Sequence, residues 1–201
     1  MIAAESVEKI LNLPLRLGAN FAELYIERWR KRSMRVINQQ VKEASSGIEL
    51  GAGLRLFFGS DVVYAYTNDL SEGSLLELAE TLAKLKGQQG QVDQQGQGGL
   101  DFRKQHFSGL HSPEKTLDSQ NKRFRLERLL ELDSAARIAP EIRQVEAQLI
   151  EWEQDVLVAN SEGVWAEDQR IRSRVVGQAI AANEQDTRAN HFQNPRLARG
   201  Q

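Results

Sequence analysis

The stretch VVYAYTNDLSEGSLLELAE, residues 62–80, passes from a strand-like run through a polar corner into an apolar ladder. Val62 to Thr67 are β-branched or aromatic apart from one alanine, the composition of a pleated, half-buried strand. Leu75, Leu78, Leu82 and Leu85 recur at spacings of three and four, the stripe of an amphipathic helix. Between them, Asn68, Asp69 and Ser71 can each accept a hydrogen bond from the orphan N–H groups of a first helical turn. Asp69 with Glu72 and Ser74 with Glu77 both have capping-box spacing, so two starting points compete. Tyr64, Tyr66 and Asp69 could instead form a chemical site, but capping accounts for the same residues with less.

Outward from this joint, helix and strand signals alternate in blocks. An amphipathic helix is expected over 4–17, with Val7, Ile10, Leu11 and Leu17 on one side, Pro14 kinking or shortening it and Gly18 closing it. From Ala22 to Thr67 the chain reads as an antiparallel meander of short strands, punctuated by Gln39-Gln40, Ser45-Ser46-Gly47 and Gly59-Ser60-Asp61. Gly51 and Gly53 mark a close packing approach or a bulge. Residues 87–99 are almost all glycine and glutamine and read as a linker or surface loop, and 100–117 as irregular. A third helix is expected from about Ser119 to Arg137, burying Leu126, Leu129, Leu130 and Ala136. About three further strands follow, with a hairpin turn at Ser161-Glu162-Gly163. From Gln185 on the chain reads as a polar tail. The resulting fold class is α+β, with mostly antiparallel strands and about three helices.

The 201 residues suffice for one good-sized domain with a real core, or two small ones. A formal net charge of −2 gives the whole molecule no electrostatic pull toward nucleic acid or anionic lipid. With no cysteine, disulfides, thiolate nucleophiles and Cys-ligated zinc are excluded. The first twenty residues lack a basic segment and carry Glu5 and Glu8 in their apolar pattern, which fits neither a signal peptide nor a membrane span. A cytoplasmic location is expected.

Signatures of catalysis are wanting. His106 and His111 sit five apart near Asp101, His191 lies far along the chain, and no H-E-x-x-H occurs. There is no Gly-x-Ser-x-Gly elbow, and the glycines of 47–59 precede no Lys-Ser/Thr. Glu23 with Glu27, and Glu151 with Glu153, share a strand face and read as solvent-facing alternation. The run RWRKRSMR, residues 28–35, remains. Arg28, Trp29, Arg30, Lys31 and Arg32 are candidates for a partner or peptide contact, on an exposed sheet edge. Cations around an aromatic could also grip single-stranded nucleic acid, which the acidic balance disfavours.

GANFAELYIE (18–27) and VINQQVKEASSGIELGAGLRLFFGSDVVYAYTNDLS (36–71) together resemble the N-terminal domain of the TldD/PmbA family, proteins labelled modulators of DNA gyrase, and lean toward the TldD type. Gly18, Ala19, Phe21, Ala22 and Glu23 match its opening, Val41, Lys42, Glu43, Gly51, Gly53 and Arg55 its core, and Tyr64 through Ser71 its ending. RLERLLELDSAARIAPEIRQVEAQL (125–149) and VLVANSEGVWAEDQR (156–170) resemble its second half. Ala44 stands where glycine is usual, and Val63 where a glycine precedes the aromatic.

The resemblance implies a zinc-dependent metallopeptidase that works as a homodimer or heterodimer of family members on extended peptides. It further implies one N-terminal domain over 1–201, built as helix-meander-helix (1–86), linker (87–99) and helix plus antiparallel strands (100–190). The family's zinc motif, His-Glu-x-x-x-His, and its cysteine ligand belong to a C-terminal domain expected to be absent here, so no catalytic, cofactor-binding or metal residue carries over. The chain is expected to be inactive alone, walling a substrate chamber and supporting dimerisation. Alternatives are a stand-alone module that pairs with and modulates a full-length member, and a nucleic-acid or gyrase-associated modulator.

Overall fold

A computed structural model describes residues 2–86, 102–106, 116–183 and 186–197. Its elements run α1 (Ala4–Arg16), β1 (Phe21–Ile37), β2 (Gln40–Phe58), β3 (Asp61–Thr67), α2 (Glu72–Lys86), β4 (Arg103–His106), a 3₁₀ turn (Leu117–Ser119), α3 (Lys122–Ala136), β5 (Ile142–Asn160), β6 (Val164–Ala182) and β7 (Thr187–Leu197). The strand order is β3-β2-β1-β5-β6-β4, with β7 also pairing β6. β3 runs antiparallel to β2 and β7 antiparallel to β6, whereas β4 is parallel to β6. The expected α+β class with mostly antiparallel strands is the observed one.

Contacts divide the chain into two units. The first holds Met1–Arg28, Glu49–Ser108 and Asp155–Asp168; the second holds Trp29–Ile48, Gly109–Gln154 and Gln169–Gln201. β1, β2, β5 and β6 each contribute residues to both.

In the first unit, α1 and α2 pack together and cover one sheet face. Val7, Ile10 and Leu11 of α1 and Leu75, Ala79, Leu82 and Ala83 of α2 are buried with Ala22, Leu24 and Ile26 of β1 and Ala52, Leu54 and Leu56 of β2. Each buried leucine or isoleucine contributes roughly 1.5–3 kcal/mol. The α2 stripe thus runs through Ala79 and Ala83 rather than Leu78 and Leu85, and Leu85 is exposed. Pro14 stays inside α1, two residues before its last. There Gly18 takes φ +99° and donates to Leu15 O at 3.1 Å while Ala19 donates to Pro14 O at 3.0 Å, a Schellman closure.

In the second unit, α3 presents Arg125, Leu129 and Asp133, one stripe at spacings of four, and only the middle residue is apolar. Leu126 and Leu130 are half-buried beside Val36, Leu129 and Ala147. The helix starts at Lys122, three residues later than the sequence suggests, capped by Asn121, whose side chain accepts from Phe124 N at 2.8 Å.

Four sequence expectations are corrected. The meander is three strands, not a chain of short ones: β1 continues through 28–33, and Ser45-Ser46-Gly47 lies inside β2 as exposed strand. The β1–β2 turn is Asn38-Gln39, both at positive φ (48° and 62°), one residue before the Gln39-Gln40 corner expected. Residues 103–106 form a strand inside the segment read as irregular, and a 3₁₀ turn begins at its last residue, Leu117. Residues 187–197 form β7, because the backbone of β6 supplies a ladder that needs no apolar side chains. The Ser161–Gly163 hairpin is observed, with Gly163 at φ +85° and Asn160 Oδ1 accepting from Glu162 N and Val164 N at 3.0 and 3.1 Å. The Gln/Gly stretch of 87–99, Asp101 and His111 lie outside the described residues.

Candidate functional site

The corner at 67–72 is a strand-to-helix joint. Ser71 caps α2: its Oγ accepts from Ser74 N at 3.3 Å, and its carbonyl accepts from Leu75 N at 3.1 Å. Neither capping box suggested by spacing forms. Asp69 instead accepts from Ser71 N at 2.9 Å, and that bond, with the Ser71 hydroxyl, holds its carboxyl below the usual carboxylate range. Glu72 reaches back to Ser6 and, at 2.8 Å, to Lys9 of α1. Tyr64 and Tyr66 stand 60% and 79% exposed on β3. The Tyr64 ring lies over Gly53, where an added Cβ would come within 2.6 Å of its Oη. That is the close approach expected at this glycine.

The basic run is drawn into β1, and its even and odd members separate by strand alternation. Even positions of β1 read Ala22, Leu24, Ile26, Arg28, Arg30, Arg32, Met34, Val36. Odd positions of β5 read Val145, Ala147, Leu149, Glu151, Glu153, Asp155, Leu157, Ala159, so a block of carboxylates answers the block of arginines. In the first unit Arg28 grips Asp155 Oδ2 through Nε and Nη2 at 3.0 and 2.6 Å. In the second, Arg30 bonds Glu153 and, at 2.7 Å, Asp118, while Arg32 bonds Asp118 and, at 2.7 Å, the Leu117 carbonyl. The odd residues include Lys31, which lies 5.4 Å from the Trp29 ring centre.

Glu153 is buried and Glu151 nearly so, which overturns their solvent-facing reading, and Asp155 is buried as well: residues remote in sequence supply the cations. Arg125 completes the arrangement, donating to Glu151 at 2.5 Å and to the carbonyls of Leu117 and Gln120. Bonds from Arg32 and then Arg30 hold the Asp118 carboxyl below its ordinary range. Bonding to Glu153 raises the Arg30 guanidinium against the opposing effect of burial. Glu23 and Glu27 are half-buried, Glu23 paired with Arg55 at 2.5 Å and Glu27 accepting from Tyr25 at 2.9 Å.

Beside these pairs lies an open groove of about 880 Å³, walled by 30–34 of β1, 44–48 of β2, Asp118, the start of α3 and Leu149 and Glu151 of β5. It brings together Arg30, Lys31 and Arg32 of the candidate set; Arg28 and Trp29 do not line it. Sequence reasoning missed Arg125 and Asp118 here. The spacing of Arg125, Leu129 and Asp133 on one helical face was the available signal.

Among the described residues no three His, Cys, Asp or Glu side chains come together as a metal-holding group. The described residues therefore offer no set that fits a zinc site. His106 belongs to β4 and His191 to β7, where it is exposed. No described helix is long and apolar enough to cross a membrane.

Two family models match the chain: PmbA/TldA metallopeptidase domain 1 over residues 22–86 and the PmbA/TldA metallopeptidase central domain over 115–196. No curated protein sequence matches it. Among solved structures, a proposed modulator of DNA gyrase from Thermotoga maritima superposes with a TM-score of 0.75 at 13% identity, over 96% of this chain and 43% of that one. Another proposed gyrase modulator, from Bacteroides thetaiotaomicron, gives 0.74 at 14% identity, over 98% and 46%. TldE from Thermococcus kodakarensis gives 0.64 at 13%, over 96% and 43%. At these identities the likeness is one of fold, and the chain spans less than half the length of each.

Proposed function

Because the chain belongs to the PmbA/TldD metallopeptidase family, we propose that it is a non-catalytic part of a cytoplasmic TldD-like peptidase, contributing to the substrate chamber and to dimerisation in proteolysis or peptide maturation. The observation that carries this reading is the pair of family matches, which assign domain 1 and the central domain to this chain. Zinc would belong to family sequence outside this chain, and its partner would be another family member, in a homodimer or heterodimer acting on extended peptides.

A gyrase or nucleic-acid role draws no support from charge. The guanidiniums of Arg28, Arg30 and Arg32 are engaged by Asp155, Glu153 and Asp118, which leaves little of the basic run to meet phosphate.

The test is assembly and activity in one preparation. The purified chain should elute with a full-length family subunit at fixed stoichiometry. Alone it should leave an unstructured fluorogenic peptide uncut, with or without added zinc. Chelator-sensitive hydrolysis by the chain alone, or failure to associate with any family subunit, would overturn the reading.

A further inference from the structure

In the first unit the buried sides of α1 and α2 close the core, and their outer sides bound a second open groove, of about 910 Å³. Its floor is apolar: Leu13 of α1 and Leu76 of α2 are half-buried against the core beneath. Gly73, exposed on α2, forms part of its wall. Nothing within the chain requires a glycine there. Its φ is not in the left-handed region, and a Cβ would meet nothing within 4 Å. In a helix, glycine costs up to about 1 kcal/mol against alanine. What it provides is a bare backbone that another element can approach closely.

The rim carries an excess of negative charge that survives pairing. Lys9 meets Glu72 at 2.8 Å, and Lys84 meets Glu80 at 2.7 Å. Arg16 is the third cation, and Glu5, Glu8 and Glu77 are the other carboxylates. Five carboxylates therefore face three cations, and two negative charges remain however the pairs are drawn. First-turn positions account for Glu5 and Glu72, whereas Glu8, Glu77 and Glu80 lie farther along their helices. An apolar floor between two helices can seat an amphipathic helix, whose own apolar stripe it buries. The rim decides which kind. Lysine or arginine beside that stripe would meet complementary charge, and glutamate would be repelled.

We propose that the groove between α1 and α2 docks a basic amphipathic helix of a partner protein, its apolar stripe on Leu13 and Leu76 and its backbone close to Gly73. The site lies on the side of the two helices turned from the sheet, and it does not depend on the peptidase reading.

The probe is a fluorescein-labelled, alanine-based peptide of eighteen residues. Leucines at spacings of three and four form its stripe, and lysines flank them; the full chain is titrated in and anisotropy followed. The peptide should bind about tenfold more tightly than its glutamate counterpart, the effect of a few exposed charge contacts. Added salt should shrink that difference. Two variants of the lysine peptide keep its charge. One scatters the leucines around the helix, and the other carries two central prolines that break it. Each should bind at least about tenfold more weakly. Gly73→Met should leave the urea midpoint unchanged or higher, since methionine is the better helix former and meets no neighbour. It should weaken the lysine peptide about tenfold by filling the approach. Glu77→Gln, at an exposed position, tests the rim without altering the helix backbone and should weaken it by about threefold. Failure of the lysine peptide to bind overturns the proposal, as does equal binding of the glutamate peptide. Equal binding of the scattered or proline peptide does so too, since it would mean a groove that takes polycations without regard to shape. Undiminished binding by a folded Gly73→Met chain also overturns it, as does sedimentation showing a dimer of this chain that Gly73→Met splits.

Discussion

The two contact units are built on the same four long strands and stabilised by different means. In the first, α1 and α2 close over Leu24, Ile26, Leu54 and Leu56, a continuous apolar interior. In the second, Val36, Leu129 and Ala147 form a small buried apolar cluster, and the other buried positions on α3 and its neighbouring strand are Val145, Arg125, Asp133, Glu153 and Gln154, four of the five polar or charged. Apolar burial is non-directional and tolerates similar shapes, whereas buried charge holds only while each partner is present. The first interior should therefore register lost volume, and the second lost partners.

The largest expected effect compares two leucines. Leu54→Ala removes a fully buried side chain from the dense cluster and should cost about 3–4 kcal/mol in urea unfolding. Leu129→Ala, among half-buried neighbours that can relax, should cost about 2 kcal/mol. Equal losses would break the contrast.

A smaller effect sharpens it from the other side. Glu153→Leu leaves Arg30 with Asp118 alone and takes the acceptor from Gln169 Nε2, which lies 3.0 Å from Glu153 Oε1. Arg30 is a quarter exposed, so solvent reduces the penalty to about 2–3 kcal/mol. Adding Arg30→Met removes the stranded cation, and the double variant should return to within about 1 kcal/mol of the parent. If the double variant is no better than the single one, the carboxylate acts through its shape and not its charge.

This contrast also separates what the sequence discloses from what it hides. The strand–helix joint at 67–72, the Gly18 stop and the Ser161–Gly163 turn are local events, set by residues within a few positions, and they read correctly. The length of β1 is not local: Arg28, Arg30 and Arg32 are tolerated mid-sheet because Asp155, Glu153 and Asp118 meet them from far along the chain. Judged alone, that basic run suggested an exposed edge, and Glu151 and Glu153 suggested a solvent face. The groove was hidden for the same reason, since its walls come from β1, β2, β5 and α3. β7 was obscured differently, because a ladder on β6 requires backbone and little from side-chain composition.

The smallest expected effect concerns the β1–β2 tip, where non-glycine residues hold positive φ. Asp133 secures it: its carboxylate accepts from Gln39 N at 3.2 Å, from Gln39 Nε2 at 2.8 Å and from Arg137 Nε at 2.8 Å, and it is fully buried. Burial pushes this carboxyl upward, but Arg137 and Gln39 outweigh it and leave it below the ordinary carboxylate range. A depressed folded value means that the unfolded chain binds the proton more readily, so stability rises with pH across the interval. The contribution is complete above the unfolded value, about 3.9, and is lost as pH falls through the lower folded one. Asp133→Asn keeps the shape and removes the charge, at a cost of about 1–2 kcal/mol near neutral pH. Subtracting its stability profile from that of the parent isolates this carboxyl from Asp69, Glu72 and Asp118, which are also held low. The difference should fade on acidification. A difference that stays constant from neutral pH to about 2.5 would mean that Asp133 secures the tip without its charge, since an ordinary carboxyl is protonated there.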